Sequence, residues 1–302
     1  MVSISSVSEI LKRAINIFNK LDFNNFNKSQ IQIVKDYLKK EYDTIPEKER
    51  IGKGRVYISK VVAKSLFKYL KKKYLGSLSK TFTKENFINI NLGIIGKFEE
   101  DPDTLVFGIH LTSNFALDFF DKTIDKVEKW AINEDWEIRE NAVYPILSGL
   151  KSDRKNTLNL LSSWVNSENP NIRRLVAESL RPKADIKWLR DSKQNDDILK
   201  ILTIINHDDS IYVRKAVGNN LKDLTKYMPD KILKLIEEWM KEKDNLSLKE
   251  QKNLIYIIYK ALRWLKDRNP KYHNWIEKLV GKNYLLYYDE KRNINAIPPD
   301  KK

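Results

Sequence analysis

One short phrase is written three times along the chain: Ile138-Arg139, Ile172-Arg173 and Val213-Arg214, spaced by 34 and then 41 residues. Each copy stands behind a short polar turn containing Asp or Asn. In the first two copies a tryptophan, Trp130 or Trp164, precedes the arginine by nine residues. A period of this size is one pair of helices. A single pair cannot bury its own apolar face, so neighbouring pairs must stack into an array. Composition agrees. Only 9 Gly and 9 Pro punctuate 302 residues, too few for the many turns of a sandwich or barrel.

The expected fold is therefore all-α, a superhelical solenoid of stacked helical repeats of the HEAT/armadillo kind. The array is expected over residues 96–285. Further units are expected at "DPDTLVFGIHLTSNF" and at "LSLKEQKNLIYIIYKALRWL". Residues 1–95 read as a helical N-terminal region capping the array, beginning with Ile10, Leu11, Ala14, Ile15 and Phe18 at helical spacing. Residues 286–302 read as a C-terminal tail.

The formal net charge of +15 points to a polyanionic partner: DNA, RNA or an acidic membrane surface. The charge is unevenly placed. Between Ile51 and Lys80 there are nine basic residues and no acid. Lys60, Lys64, Lys68 and Lys72 recur every fourth residue, on the face opposite Val62, Leu66 and Leu70. A merely solvated face usually mixes signs. On the second helices of the repeats, Arg139, Arg173, Arg174, Arg214 and Lys215 read in two ways. They line a concave basic track, or they bond within their own repeats.

With no cysteine, disulfides, thiolate metal sites and thiol nucleophiles are excluded. His110, His207 and His273 share no ligand spacing, so no metal and no other cofactor is expected. The first residues lack the pattern of a signal peptide, and no apolar stretch is long enough to span a bilayer. A cytoplasmic protein without a membrane partner is the expectation.

"GKG" at 52–54 lacks the spacing of a phosphate loop, and neither G-x-S-x-G nor H-E-x-x-H occurs. Any chemistry rests on carboxylates and aromatics. Trp136 and Glu140 share a helix face, and Glu137 is three residues before Glu140. Glu178 follows Arg174 by four, and "RPKADIKW" then ends in Trp188. Asn219 and Asp223 are four apart. If the helices stack in register, Glu140, Glu178 and Asp223 converge on one groove beside Trp136 and Trp188. Carboxylates oppose binding of a polyanion unless they hold a cationic group. The plainer reading of each residue is structural: tryptophans between repeats, acids neutralising arginines, Asp223 capping a turn.

Three segments carry a family resemblance: "WEIRENAV", "NIRRLVAESLRP" with its following Trp, and "YVRKAVGNNLKDLTKYMPDKILKLIEEW". Residues 98 to 280, about 60% of the chain, resemble the HEAT-like DNA alkylation repair glycosylases of the AlkC/AlkD family, and the last segment looks like the AlkC branch. "RPKADIKW" is two residues longer than the family's usual segment before that Trp. The resemblance implies hydrolysis of the N-glycosidic bond of purines made cationic by alkylation at N3 or N7. A carboxylate stabilises the oxocarbenium-like sugar and helps place a water. Aromatic faces attract the cation, at about 0.5–2 kcal/mol per contact.

By position, the resemblance makes Glu140 the catalytic carboxylate and Trp136 its neighbour. Glu178 and Asp223 become further catalytic acids and Trp188 a second aromatic wall. Arg173 and Arg174 fall where the family contacts the DNA backbone. To these the charge pattern adds Arg139, Arg214, Lys215, Lys60, Lys64 and Lys68. The expected function is a monomeric, cofactor-free DNA glycosylase acting on alkylated bases in double-stranded DNA. A non-enzymatic repeat protein that binds damaged or branched DNA is the alternative, and a protein scaffold is a third reading.

Overall fold

The computed structural model describes residues 7–50, 54–76, 83–183, 185–282 and 284. The regular structure of these residues is helical, with one isolated bridge between Lys183 and Ile186. The chain divides into two compact units, residues 1–153 and 154–302.

The first unit contains α1 (Val7–Phe18), α2 (Lys28–Asp43), α3 (Arg55–Leu75), α4 (Lys84–Glu99), α5 (Pro102–Phe119), α6 (Ile124–Ala131), α7 (Trp136–Asn141) and α8 (Val143–Ser152). The boundary expected near residue 95 falls inside α4. The apolar core continues across it, from Ile10 and Phe18 through Leu66 and Phe98 to Phe115 and Phe119. α5 is the centre of the unit and packs on α3, α4 and α8. Gly108 of α5 lets the helix approach α4, since a Cβ there would lie 3.1 Å from Cβ of Phe98.

On α3 the sequence pattern appears as two faces. Val62, Leu66 and Leu70 are fully buried, while Lys60, Lys64, Lys68 and Lys72 are exposed. α7 and α8 would form one helix but for Pro145. Proline cannot donate to the carbonyl four residues back, that of Asn141, and the helix breaks at Ala142.

The second unit contains α9 (Arg154–Trp164), α10 (Pro170–Ser179), α11 (Asp196–Ile204), α12 (Ile211–Leu224), α13 (Pro229–Glu242), α14 (Leu248–Arg268) and α15 (His273–Val280). It is built in two layers. First helices meet first helices: α9 packs on α11, and Trp239 of α13 donates to Thr203 of α11 at 3.1 Å. Second helices meet second helices, with α12 between α10 and α14. Asn220 of α12, fully buried, donates to the carbonyl of Ala177 on α10 at 2.8 Å. The expected extra repeat helices are present as α5 and α14. The expected C-terminal tail, residues 286–302, lies outside the described residues.

Candidate nucleic-acid interface and carboxylate sites

The three repeated phrases fold into one hydrogen-bonding pattern. α7, α10 and α12 are capped by Asp135, Asn169 and Ser210, whose side chains accept from the backbone N–H two residues on. Two residues before each cap, the side chain of Asn133, Ser167 or Asp208 accepts the cap's own N–H. The repeated arginine, four residues after the cap, turns back to the turn's carbonyls. Nη1 of Arg139 donates to the carbonyls of Asn133 and Glu134 at 2.6 and 2.7 Å. Arg173 does the same to Ser167 and Glu168 at 2.7 and 3.0 Å, and Arg214 to Asp208 and Asp209 at 2.7 and 2.8 Å. Ahead of α14, Gln251 stands at the same place after Ser247 and donates to the carbonyl of Leu246 at 3.0 Å.

Of the two readings of these arginines, the structure therefore shows bonding within the repeat for Arg139, Arg173 and Arg214. Arg173 also forks onto Asp208, with Nε and Nη2 at 2.6 and 3.0 Å from its two oxygens. That carboxylate is only 4% exposed, so the guanidinium and its charge are fully engaged. Arg174 is buried, lying 4.1 Å over the ring of Tyr212 and 3.9 Å from Glu178. Lys215 is exposed.

Against this constant frame, the positions one and five residues after the cap vary. The first is Trp136, Pro170 and Ile211; the second is Glu140, Arg174 and Lys215. Trp136, 66% exposed, opens α7, and Glu140 follows one turn later, half-buried. Behind them α7 is anchored on α5. Asn141 is buried next to Glu140 and donates to the carbonyl of Glu137 at 2.8 Å. His110 of α5 lies 4.7 Å from the ring of Tyr144. Burial, and then the charge of Lys60, push the His110 imidazole down to about 4, against an opposing bond with Asn141. The Lys60 ammonium sits 4.9 Å over the Tyr144 ring. Thus the lysine face of α3 begins beside α8, one turn beyond Glu140. Lys64 and Lys68 form no ion pair among the described residues, whereas Lys71 pairs with Asp118 at 2.6 Å.

In the second unit Glu178 and Asp223 are brought together by a residue that the sequence reading passed over, Arg181. Its Nη1 donates to Glu178 at 3.0 Å, its Nε to Asp223 at 3.2 Å, and its Nη2 closely to the same Asp223 oxygen. The other Asp223 oxygen faces Lys226 at 3.0 Å and Lys222 at 3.5 Å. Burial pushes the Asp223 carboxyl up, but hydrogen bonds from Arg181 and Lys226 outweigh it and hold the group below its usual range. The i, i+3 spacing of Glu178 and Arg181 was a usable signal. The partnership with Asp223, 42 residues away, had none.

Trp188 sits in a 3-10 turn over residues 187–190, with its ring covered by the Arg154 guanidinium at 3.9 Å. Arg154 is steadied in turn by Gln194 at 3.4 Å. The Trp188 face is thus occupied by a cation. Trp136, in the first unit, is open.

No described helix is long and apolar enough to cross a membrane. Residues 101–252 match the family model described as DNA alkylation repair enzyme. The uncharacterized protein YhaZ of Bacillus subtilis (strain 168) is 29% identical over 129 residues, 41% of this chain and 34% of its own length. The chain thus matches about a third of that relative. Alkylpurine DNA glycosylase AlkC of Pseudomonas fluorescens, bound to DNA containing an abasic site analog, has a TM-score of 0.49 at 19% identity, covering 91% of this chain and 66% of its own. AlkD2 of Streptococcus mutans has a TM-score of 0.46 at 21% identity, covering 65% of this chain and 88% of its own. The family match runs from the cap of α5 into α14, half of the chain, and takes in all three arginine-stapled turns: the chain belongs to the DNA alkylation repair enzyme family.

Proposed function

We propose that the protein is a DNA glycosylase that excises cationic N3- or N7-alkylated purines from duplex DNA by hydrolysing the N-glycosidic bond. One observation carries the reading beyond family membership. α7 presents an exposed tryptophan and, one turn later, a half-buried carboxylate, on a turn whose other copies put Pro170 or Ile211 and Arg174 or Lys215 at those places. A core tryptophan would be covered, as Trp130 is. An exposed ring beside a carboxylate suits a cationic base or a sugar that gains positive charge in the transition state.

The chemistry asks little of a proton donor, because a cationic base leaves readily. Glu140 stabilises the developing oxocarbenium charge and orients the attacking water. Trp136 offers its face to the sugar as it gains positive charge. Glu178 and Asp223 supply further negative charge, and Trp188 serves as a second aromatic surface once Arg154 moves off it. Phosphates are met by the exposed Lys60, Lys64, Lys68 and Lys215, which grip the backbone without reading sequence. Arg174 assists from its place on Tyr212. Arg139, Arg173 and Arg214 contribute by fixing the turns that carry α7, α10 and α12. The protein works as a monomer in the cytoplasm, without a cofactor.

The test is release of free base from methylated duplex DNA by the wild type and by Glu140→Gln, with DNA affinity measured beside it. Release that vanishes in a variant that still binds supports the enzyme. A folded wild type that binds duplex DNA and releases no base leaves the non-enzymatic DNA-binding protein as the answer.

A further inference from the structure

The unusual feature of the second unit is a cation shared between two acids. Glu178 and Asp223 come from different helices, α10 and α12, and meet only through Arg181. The chain presents Arg181 just past the end of α10, where Leu180 caps the helix and Pro182 prevents its continuation. Burial opposes the charge on Arg181, and the two carboxylates outweigh it. A guanidinium is a flat ion with its single positive charge spread over the plane. A purine alkylated at a ring nitrogen fits the same description: flat, singly charged and delocalised.

Resting on the glycosylase reading, we infer that Arg181 is a resident stand-in for the substrate's charge: a displaceable guanidinium that fills the space between Glu178 and Asp223 until a planar organic cation in the DNA replaces it. The exchange moves no protons and breaks no covalent bond. One monocation leaves the two carboxylates and another takes its place, so the charge of the pair stays compensated. A neutral base has nothing to offer in exchange. Displacing Arg181 with it takes from two partly buried carboxylates their common counterion and leaves only Arg174, Lys222 and Lys226 at their edges, a cost the site does not recover. Arg181 is thus a positioning residue that sets the threshold for charge and holds both acids ionised and aligned while the site is empty. Discrimination of this kind works by penalising the wrong ligand rather than by adding contacts to the right one.

The inference is tested with two duplexes that differ only in charge. One carries a 2′-fluoro-stabilised 7-methylguanine, which is cationic and resists hydrolysis. The other carries 7-methyl-7-deazaguanine on the same 2′-fluoro sugar, its neutral isostere. The readout is the ratio of the two dissociation constants, for the full-length wild type, Arg181→Gln and Arg181→Lys. With the internal competitor removed, Arg181→Gln should bind the cationic duplex more tightly and the neutral one unchanged, raising the ratio by about tenfold, the factor that corresponds to about 1.4 kcal/mol. Arg181→Lys keeps the charge and should stay near the wild-type ratio. Methylguanidinium added to Arg181→Gln should lower the ratio again, while sodium at the same ionic strength should not. A ratio unchanged or lowered in Arg181→Gln overturns the inference, because a residue that only braces α10 against α12 shifts both affinities together. The glycosylase reading fails separately, through absence of base release by the wild type.

Discussion

α7 in the first unit and the α10–α12 pair in the second grow from the same turn, yet they set their acids in different surroundings. At α7 the carboxylate of Glu140 follows an exposed tryptophan, and the helix ends one residue later. At α10 and α12 the carboxylates of Glu178 and Asp223 are gripped by one guanidinium, with further cations around them. The conserved part of the frame is the cap, the back-bonded arginine and the buried Ile or Val before it. The varied part is what stands one and five residues after the cap. Architecture and chemistry are thus written at different positions of the same repeat, and substitutions at the two kinds of position should fail in different assays.

The largest effect is expected at the acid that follows the exposed tryptophan. Glu140→Gln should slow base release by about three orders of magnitude, the cost of losing one well-placed charge-stabilising group, with little change in DNA affinity. Glu178→Gln and Asp223→Asn should slow it less, by roughly one to two orders, since they meet the charge already present on the base rather than the charge that develops on the sugar. Single-turnover release from methylated duplex DNA measures all three. Equal losses in the three variants would break the distinction between the acid beside the exposed tryptophan and the two held by Arg181.

The arginine staples should respond in stability rather than activity. Arg173→Ala leaves Asp208, 4% exposed, as a buried carboxylate without its fork, and should cost about 3 kcal/mol or more. Arg139→Ala removes two bonds from a charged donor to carbonyls and should cost roughly 1.5–3 kcal/mol. Urea unfolding followed separately in the two units would show whether each loss stays in its own unit. An Arg139 variant as costly as the Arg173 variant would mean that Asp208 adds nothing to the common staple.

Much of this frame was legible because it is local. The cap, the arginine four residues on and the carbonyls it reaches lie within seven residues of one another, so a repeated spelling implies a repeated geometry. The faces of α3 were legible for the same reason, with lysines and apolar residues each at a fourfold spacing. What escaped the sequence lies between elements. Nothing in "RPKADIKW" says that Arg154 covers Trp188, and nothing in "KDLTK" says that Asp223 meets Arg181. The N-terminal region could be read as helical, but not as sharing a core with α5, because that depends on Phe67 of α3 meeting Phe115 of α5. The basic track was underdetermined on principle: an arginine on a helix face looks the same whether it serves a phosphate or its own turn.

His110 offers a test of how firmly α7 is seated. Its imidazole titrates near 4 in the folded protein, below the ordinary 6.5. Between those values the unfolded chain binds the proton and the folded one does not, so stability is full above pH 6.5 and falls as the pH drops towards 4. The whole window corresponds to about 3 kcal/mol. His110→Gln, which stays neutral throughout, should flatten the profile of unfolding free energy between those limits. A profile that keeps its slope would place the proton elsewhere and remove His110 as the acid-labile anchor beneath the Glu140 helix.

The smallest effect is expected where the second unit is most tightly built. Gly218 stands in the middle of α12, where alanine would be the better helix former by about 1 kcal/mol. The structure explains the glycine: a Cβ at 218 would lie 2.8 Å from Cβ of Lys260 on α14. That contact is to the root of the side chain, not to its flexible end, so α14 itself would have to move. Overpacking of this kind costs about 1–3 kcal/mol, partly offset by the helix preference, which leaves Gly218→Ala destabilised by about 1 kcal/mol. The same displacement would act on α12, which carries Asp223, so a shift of α12 should also loosen the grip of Arg181. Gly218→Ala should therefore lower the unfolding free energy slightly and move the cation-to-neutral binding ratio in the same direction as Arg181→Gln. Stability lost without any change in that ratio would show that the carboxylate pair is held by α10 and Arg181 alone, and that the close approach of α12 to α14 serves packing only.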